Sequence, residues 1–268
     1  MFVAGNHDFG SNRKLNVRHG NGCFIVEDVL NTDTSTKLGP DFFGQSTVEV
    51  ACGLLGKLLL HCEDNLNLGG IIVEVEAYLG TRDLASHSAC GKTRRNEVMF
   101  WDPGHVYVYQ IHQQHCVNIV TEQAGVGAAV LIRALEPLCH PAQLSAMRRR
   151  RNLNSNPPEP TKNDSLWRRA VGYTSGPGRL CQALGITLQQ NGSRLSNMSG
   201  TGQQGKRGGI EVRTNPNLRT FTTSKSRRIG ITKSAHRTLR YFVDGNPFVS
   251  GRASDHKRPR DHLFQDWS

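Results

Sequence analysis

Residues 71–80 read IIVEVEAYLG. β-branched residues are dense here, as strands favour. Side chains on a strand alternate between its two faces. Ile71, Val73, Val75 and Ala77 therefore share one face, and Ile72, Glu74, Glu76 and Tyr78 share the other. The first face suits a core. The second carries two carboxylates and a tyrosine on a strand that is otherwise apolar. Burying unpaired charge is costly, so that face needs a partner or a purpose.

Working outward, KLLLHC (57–62) precedes this strand across the turn-rich EDNLNLGG (63–70). Ser46-Thr47 caps a helix expected over about 48–54. GHVYVYQIHQQHCVNIVTE (104–122) reads as two strands around a polar loop, and AAVLIRALEPL (128–138) as a buried strand. AQLSAMRRRRNL (142–153) and GPGRLCQALGI (176–186) read as helices. RRIGITKS (227–234) and LRYFVDGNPFVSG (239–251) are expected to close the core as strands. Hairpins rather than regular βαβ units predict an α+β fold with a mixed, mainly antiparallel sheet. The expected organisation is a weakly ordered arm (1–35), one domain (36–252) and a polar, basic tail (253–268). Residues 154–164 are expected to form a linker or exposed loop, and 191–209 a mobile loop.

The chain has 268 residues, 33 Lys+Arg against 22 Asp+Glu and a formal net charge of +11. That balance favours a polyanionic partner without specifying any chemistry. Seven cysteines occur with no CxxC pair, which fits free thiols in a reducing compartment better than a disulfide framework. The N-terminus lacks the apolar run of a secretory signal, and no stretch is long and apolar enough to span a membrane. The expected setting is cytoplasmic or nuclear.

Chemistry-bearing residues concentrate between Ile71 and Glu136. Arg133 interrupts the apolar run VLIRALEP and asks for a buried carboxylate, for which Glu76 is a candidate. The motifs VEVEAYLG, ASHS, TRRNEVMF, PGHVYVYQI, VLIRALEP and SGPGRLCQALGI, taken together, resemble the alkyladenine (3-methyladenine) DNA glycosylase family. They occur in the family's order and approximate spacing, over roughly 38–250. The resemblance implies a monomeric α+β domain that inserts a β-hairpin into duplex DNA, flips a damaged purine and hydrolyses its N-glycosidic bond. By motif matching, Glu76 takes the place of the water-activating carboxylate and Arg133 that of the arginine positioning the water. Tyr78, His87 and Tyr109 match the residues around the extruded base, and Asn118 the asparagine that clashes with the 2-amino group of guanine. No lysine stands as a Schiff-base nucleophile, so no strand cleavage is expected, and no metal or cofactor is implied.

The residues support such roles on their own chemistry. A carboxylate stabilises the oxocarbenium character of the breaking sugar–base bond and takes a proton from water. Aromatic faces favour a cationic, alkylated ring by about 0.5–2 kcal/mol per contact. Lys92 and Arg95 are candidates for phosphate contact, with a solvated loop as the alternative. Glu74 matches no family role and is expected at the surface or in a supporting position.

HQQHC (112–116) departs from the family, which carries a wedging tyrosine and a glycine at the hairpin tip. Here the loop lacks glycine and is one residue shorter, and His112 is the best match to the wedge. Two rivals follow from these residues. One is a non-catalytic DNA-binding protein of the same fold. The other is a zinc hydrolase built on His112, His115 and Cys116, although three ligands at one hairpin tip lack the second cluster of a structural site.

Overall fold

Strand β2, Asn67–Tyr78, contains the charged stretch and runs through the middle of the sheet. The computed structural model describes residues 35–63, 66–153, 166–195, 209–260 and 264–267. The expected arm (all but Ser35), the 154–164 linker and residues 196–208 of the expected mobile loop lie outside them.

The other strands are β1 (Leu58–Cys62), β3 (Val106–Ile111), β4 (Gln114–Thr121), β5 (Ala128–Pro137), β6 (Ile210–Arg213), β7 (Thr223–Ser226) and β8 (Arg240–Val243). Helices are α1 (Pro40–Phe43), α2 (Thr47–Leu54), α3 (Pro141–Arg150), α4 (Leu166–Thr174) and α5 (Pro177–Leu184). The architecture is α+β, with one eight-stranded sheet in the order β3-β4-β5-β2-β1-β6. Its remaining strands, β7 and β8, pair with each other, and β8 also pairs with β2. Every strand pairing among the described residues is antiparallel.

Local chemistry explains the element ends. Ser46 caps α2 by accepting from the Glu49 N–H, while the Glu49 carboxylate accepts from the Ser46 N–H at 3.2 Å. Such a reciprocal box is worth about 1 kcal/mol. Pro141 and Pro177 open α3 and α5 at positions where a missing N–H costs nothing. Gly70 lies where β2 passes β5 so closely that a Cβ would sit 2.4 Å from the Glu136 carbonyl oxygen, hence a glycine inside a strand.

The larger apolar cluster joins residues of β1, β2, β5 and the helices, among them Leu58, Ile72, Val75, Leu135 and Leu180, with Phe248 from the chain after β8. A smaller one, Val98, Met99, Tyr107, Val120 and Ala129, backs the outer end of the β3–β4–β5 layer. Two expectations change. RRIGITKS is not a strand: β7 ends at Ser226, and the Ile229 N–H is given to a side chain instead of a sheet neighbour. The segment read as a polar tail contributes Phe264 and Trp267 to the main core. No helix among the described residues is long and apolar enough to cross a membrane.

Candidate active site

The strand order places β2, β5, β4 and β3 side by side, so residues distant in the chain face one cavity of about 250 Å³. Tyr78 from β2, Arg133 from β5, Asn118 and Cys116 from β4, and Tyr107, Tyr109 and Ile111 from β3 line it. His87 reaches it from the loop between β2 and β3, and Ile229 and Gly230 from the loop after β7. Five of the expected residues are thus brought together in its wall: Tyr78, His87, Tyr109, Asn118 and Arg133.

Glu76 lies just behind that wall, 0% exposed. It accepts from the Tyr78 hydroxyl at 2.9 Å and the Ile229 N–H at 2.7 Å, and pairs with Arg133 Nη1 at 3.2 Å. All three partners line the cavity. The pairing of Arg133 with a buried carboxylate is as expected, but Arg133 has two. Its Nε also meets Glu74 Oε1 at 3.0 Å. Two residues apart on β2, both carboxylates reach one guanidinium, and the strand register shifts beside Glu74.

Glu74 corrects the surface half of its expectation. It is fully buried and accepts from Arg133, from Arg240 Nε at 2.6 Å, and from the Ser250 N–H at 2.7 Å and hydroxyl at 2.9 Å. Two buried carboxylates and two guanidiniums therefore pair inside the sheet, and the partly exposed Asp255 also meets Arg240 at 3.1 Å. Burial opposes charge on Arg133, but Glu76 and Glu74 outweigh it and hold the guanidinium protonated. Removing one member of such a network costs about 3–5 kcal/mol, because a partner is left buried and unpaired.

The aromatic wall has its own bracing. His87 Nδ1 lies 2.9 Å from the Tyr107 hydroxyl, and the imidazole meets the Tyr109 ring edge-on with centroids 4.5 Å apart. The buried Asn96 amide donates to the His87 carbonyl at 2.8 Å, fixing the turn that presents it. Burial, then the charge of Arg95, lowers the His87 pKa, so the imidazole is neutral at pH 7. Burial pushes the Tyr107 phenol up to about 12, and those of Tyr78 and Tyr109 higher still. All three tyrosines are hydroxyl donors at any working pH. Asn118 gives its amide N–H groups to the Tyr107 and Cys116 carbonyls at 3.1 and 3.4 Å, which fixes its plane.

The sequence reading missed Arg228 and Ile229. Arg228 stacks over the Tyr78 ring at 4.6 Å, donates to the Ala77 carbonyl and forms a fork with Asp83, Nη2 to Oδ1 at 2.8 Å. Neither Arg228 nor Asp83 is exposed at its side chain. The only signal was a pair of arginines before an apolar residue and a glycine, which reads equally well as a strand end.

Lys92 and Arg95 are exposed on the loop that carries His87. His112 is exposed at the hairpin tip, whereas successive positions put His115 and Cys116 on opposite faces of β4. No group of three His, Cys, Asp or Glu side chains that could hold a metal occurs among the described residues.

A profile of the methylpurine-DNA glycosylase family matches residues 41–247, a span that contains Glu74, Glu76, Arg133 and the whole cavity wall. The chain belongs to the methylpurine-DNA glycosylase family. It is 39% identical to a protein of Rhodopirellula baltica over 235 residues, 87% of this chain and 91% of the relative. Identity to a Methanoculleus marisnigri protein is 41% over 215 residues, and to a Bacillus cereus protein 39% over 220, each covering 79% of this chain and 97% of the relative. All three relatives are provisionally named as 3-methyladenine DNA glycosylases. Membership of the methylpurine-DNA glycosylases makes this chain a DNA glycosylase with DNA as its substrate.

Proposed function

We propose that the protein flips an alkylated or deaminated purine out of duplex DNA into this cavity and hydrolyses its N-glycosidic bond with a water activated by Glu76. The observation that carries the reading is the setting of Glu76, a carboxylate whose three partners all belong to the cavity wall. A carboxylate offers about four acceptor positions. Among the described residues, Oε1 takes the Ile229 N–H and Arg133, and Oε2 takes only the Tyr78 hydroxyl. Oε2 keeps capacity to accept a proton from water. Glu74 already takes four donors, from Arg133, Arg240 and Ser250, and of these residues only Arg133 lines the cavity.

The assignment of roles follows from chemistry. Arg133 positions the water and pairs with the Glu76 carboxylate. As the sugar gains positive charge in the transition state, the Glu76 carboxylate stabilises it. Tyr78, His87 and Tyr109 enclose the base. Their faces favour the cationic rings of 3-methyladenine and 7-methylguanine, which leave without protonation. Hypoxanthine and etheno-adenine are neutral and leave only as a proton is supplied. The fixed amide of Asn118 crowds the 2-amino group of guanine, a cost that the cationic ring of 7-methylguanine offsets against the aromatic faces and neutral guanine does not. Since no lysine lines the cavity among the described residues, the product is an abasic site in an intact strand. The protein acts as a monomer.

Single-turnover release of 7-methylguanine and hypoxanthine from a duplex tests this. Glu76→Gln is expected to lower the rate at least ~10²-fold, the usual worth of a general base, while DNA binding persists. Release undiminished by that substitution would sink the mechanism, and binding without release in the wild type would favour the non-catalytic reading. The rate on both bases should fall toward acid pH, and hypoxanthine alone should show a further fall toward alkaline pH. Two flat profiles would contradict this assignment.

A further inference from the structure

The tip of the β3–β4 hairpin is a two-residue turn. Ile111 pairs with Gln114, and His112 and Gln113 between them both have positive φ, +46° and +64°. Such a turn matches the natural twist of a hairpin and leaves no slack in it. Alternation along β3 then decides which side chain faces the cavity. Tyr107, Tyr109 and Ile111 lie on one face and all three line it. His112 belongs to the turn itself and is not part of that lining.

Ile111 is the outermost of the three. It remains 48% exposed, although the neighbouring tip positions, Gln110, His112, Gln113 and Gln114, are all polar. The hairpin is also braced from behind. Gln114 packs so tightly on Gly178 of α5 that a Cβ there would lie 2.9 Å from the Gln114 Cβ. An exposed aliphatic side chain thus stands at the mouth of a base-sized cavity, on a stiff support, in a chain of net charge +11. The other exposed aliphatic in the wall, Ile229, has its N–H tied to Glu76 and does not sit on a turn.

We infer that Ile111, not His112, is the side chain that enters the base stack and occupies the gap left by the flipped purine. This inference rests on the flipping reading above. An aliphatic wedge between base steps needs no hydrogen-bond partners and gains by leaving water. An imidazole in the same place brings two ring nitrogens that each require one. Ile111 is already half covered by the cavity wall, so it enters with little loss of freedom.

Single-turnover release of hypoxanthine is measured from two DNAs, one with the base paired to thymine and one with it in a single-base bulge. 2-Aminopurine beside the lesion reports unstacking. Ile111→Ala should lower release from the paired duplex roughly five- to tenfold, the worth of half an isoleucine side chain's burial. The loss should shrink on the bulge, where less stacking must be broken. Ile111→Leu should restore most of the rate, and His112→Ala should lose much less than Ile111→Ala. Equal rates for Ile111→Ala and wild type, an equal loss on both DNAs, or a larger loss in His112→Ala would each overturn the inference while the glycosylase reading stands. If the wild type releases no base, the glycosylase reading fails and 2-aminopurine decides for Ile111. A fluorescence rise lost in Ile111→Ala upholds the wedge, and no rise, or one unaffected by the substitution, removes it.

Discussion

Glu74 and Glu76 sit two residues apart on one strand, yet their surroundings separate them. Glu74 faces two arginines and the Ser250 backbone, deep in the sheet. Glu76 faces groups that border the cavity. Glu74→Gln should therefore act first on stability, losing about 3–5 kcal/mol in urea denaturation as Arg133 and Arg240 lose their shared anion. A loss under 1 kcal/mol would show that the quartet is not worth what its geometry implies. His87 offers a test by titration. Burial and then Arg95 depress its pKa in the fold. The unfolded chain takes up that proton first, near pH 6.5, so this group lowers stability as the pH falls through that range and has no effect well above it. In an NMR titration Arg95→Ala should raise the His87 pKa while leaving it below the ordinary value, because burial remains. A pKa that does not move would separate Arg95 from the site.

At the scale of elements, two loops complete what the strands begin. The loop after β2 supplies Asp83 and then His87, and the loop after β7 supplies Arg228 and then Ile229. The Asp83–Arg228 fork locks one to the other and lays Arg228 across Tyr78. Burial alone would raise the Asp83 pKa, but the Arg228 bonds prevail and hold it below the usual carboxylate range. The stabilisation is thus complete above the unfolded value near pH 3.9 and disappears as the pH drops through the lower folded value. Asp83→Asn should cost about 3–5 kcal/mol at neutral pH, the price of a broken buried pair, and also slow base release by loosening Tyr78 and Ile229. The stability gap to the wild type should close in strong acid. A gap independent of pH would mean that the charge of Asp83 is irrelevant.

Across the whole molecule, the last described residues belong to the core. Trp267 stacks on Phe248 with ring centroids 5.4 Å apart, and Phe264 meets Phe221. Glu136, on the same strand as Arg133, gathers this end: it accepts from the Phe264 and Gln265 N–H groups, the Trp267 indole and the Asn246 amide. A core carboxylate thus serves as a receptor for chain that follows β8 by some twenty residues. Trp267→Ala should destabilise the fold by about 3–5 kcal/mol, measured by thermal or urea unfolding. A change near zero would show that the end is docked without bearing weight in the core.

Much of this was legible in the sequence. Dense β-branched runs, the Ser46 cap and the Pro-led helices are local signals, and they placed β1 to β5, α2 and α5. The alternation of IIVEVEAYLG put Glu76 and Tyr78 on one face, and an arginine inside VLIRALEP announced a buried anion. A strand pattern does not encode its lateral neighbours, because hydrogen-bonding partners are chosen by the whole sheet. Only the tertiary structure decided that Arg133 bridges both glutamates and that Arg240 completes the balance for Glu74. It likewise decided that RRIGITKS would spend its groups on Glu76, Tyr78 and Asp83 rather than on a strand. The polar look of the C-terminal segment concealed Phe264 and Trp267, since two aromatics among charges carry no periodicity. The hairpin tip turned on one geometric fact, a two-residue turn whose register aims Ile111 at the cavity and leaves His112 in the bend. Composition fixes what a side chain is able to do, and long-range packing decides what stands next to it.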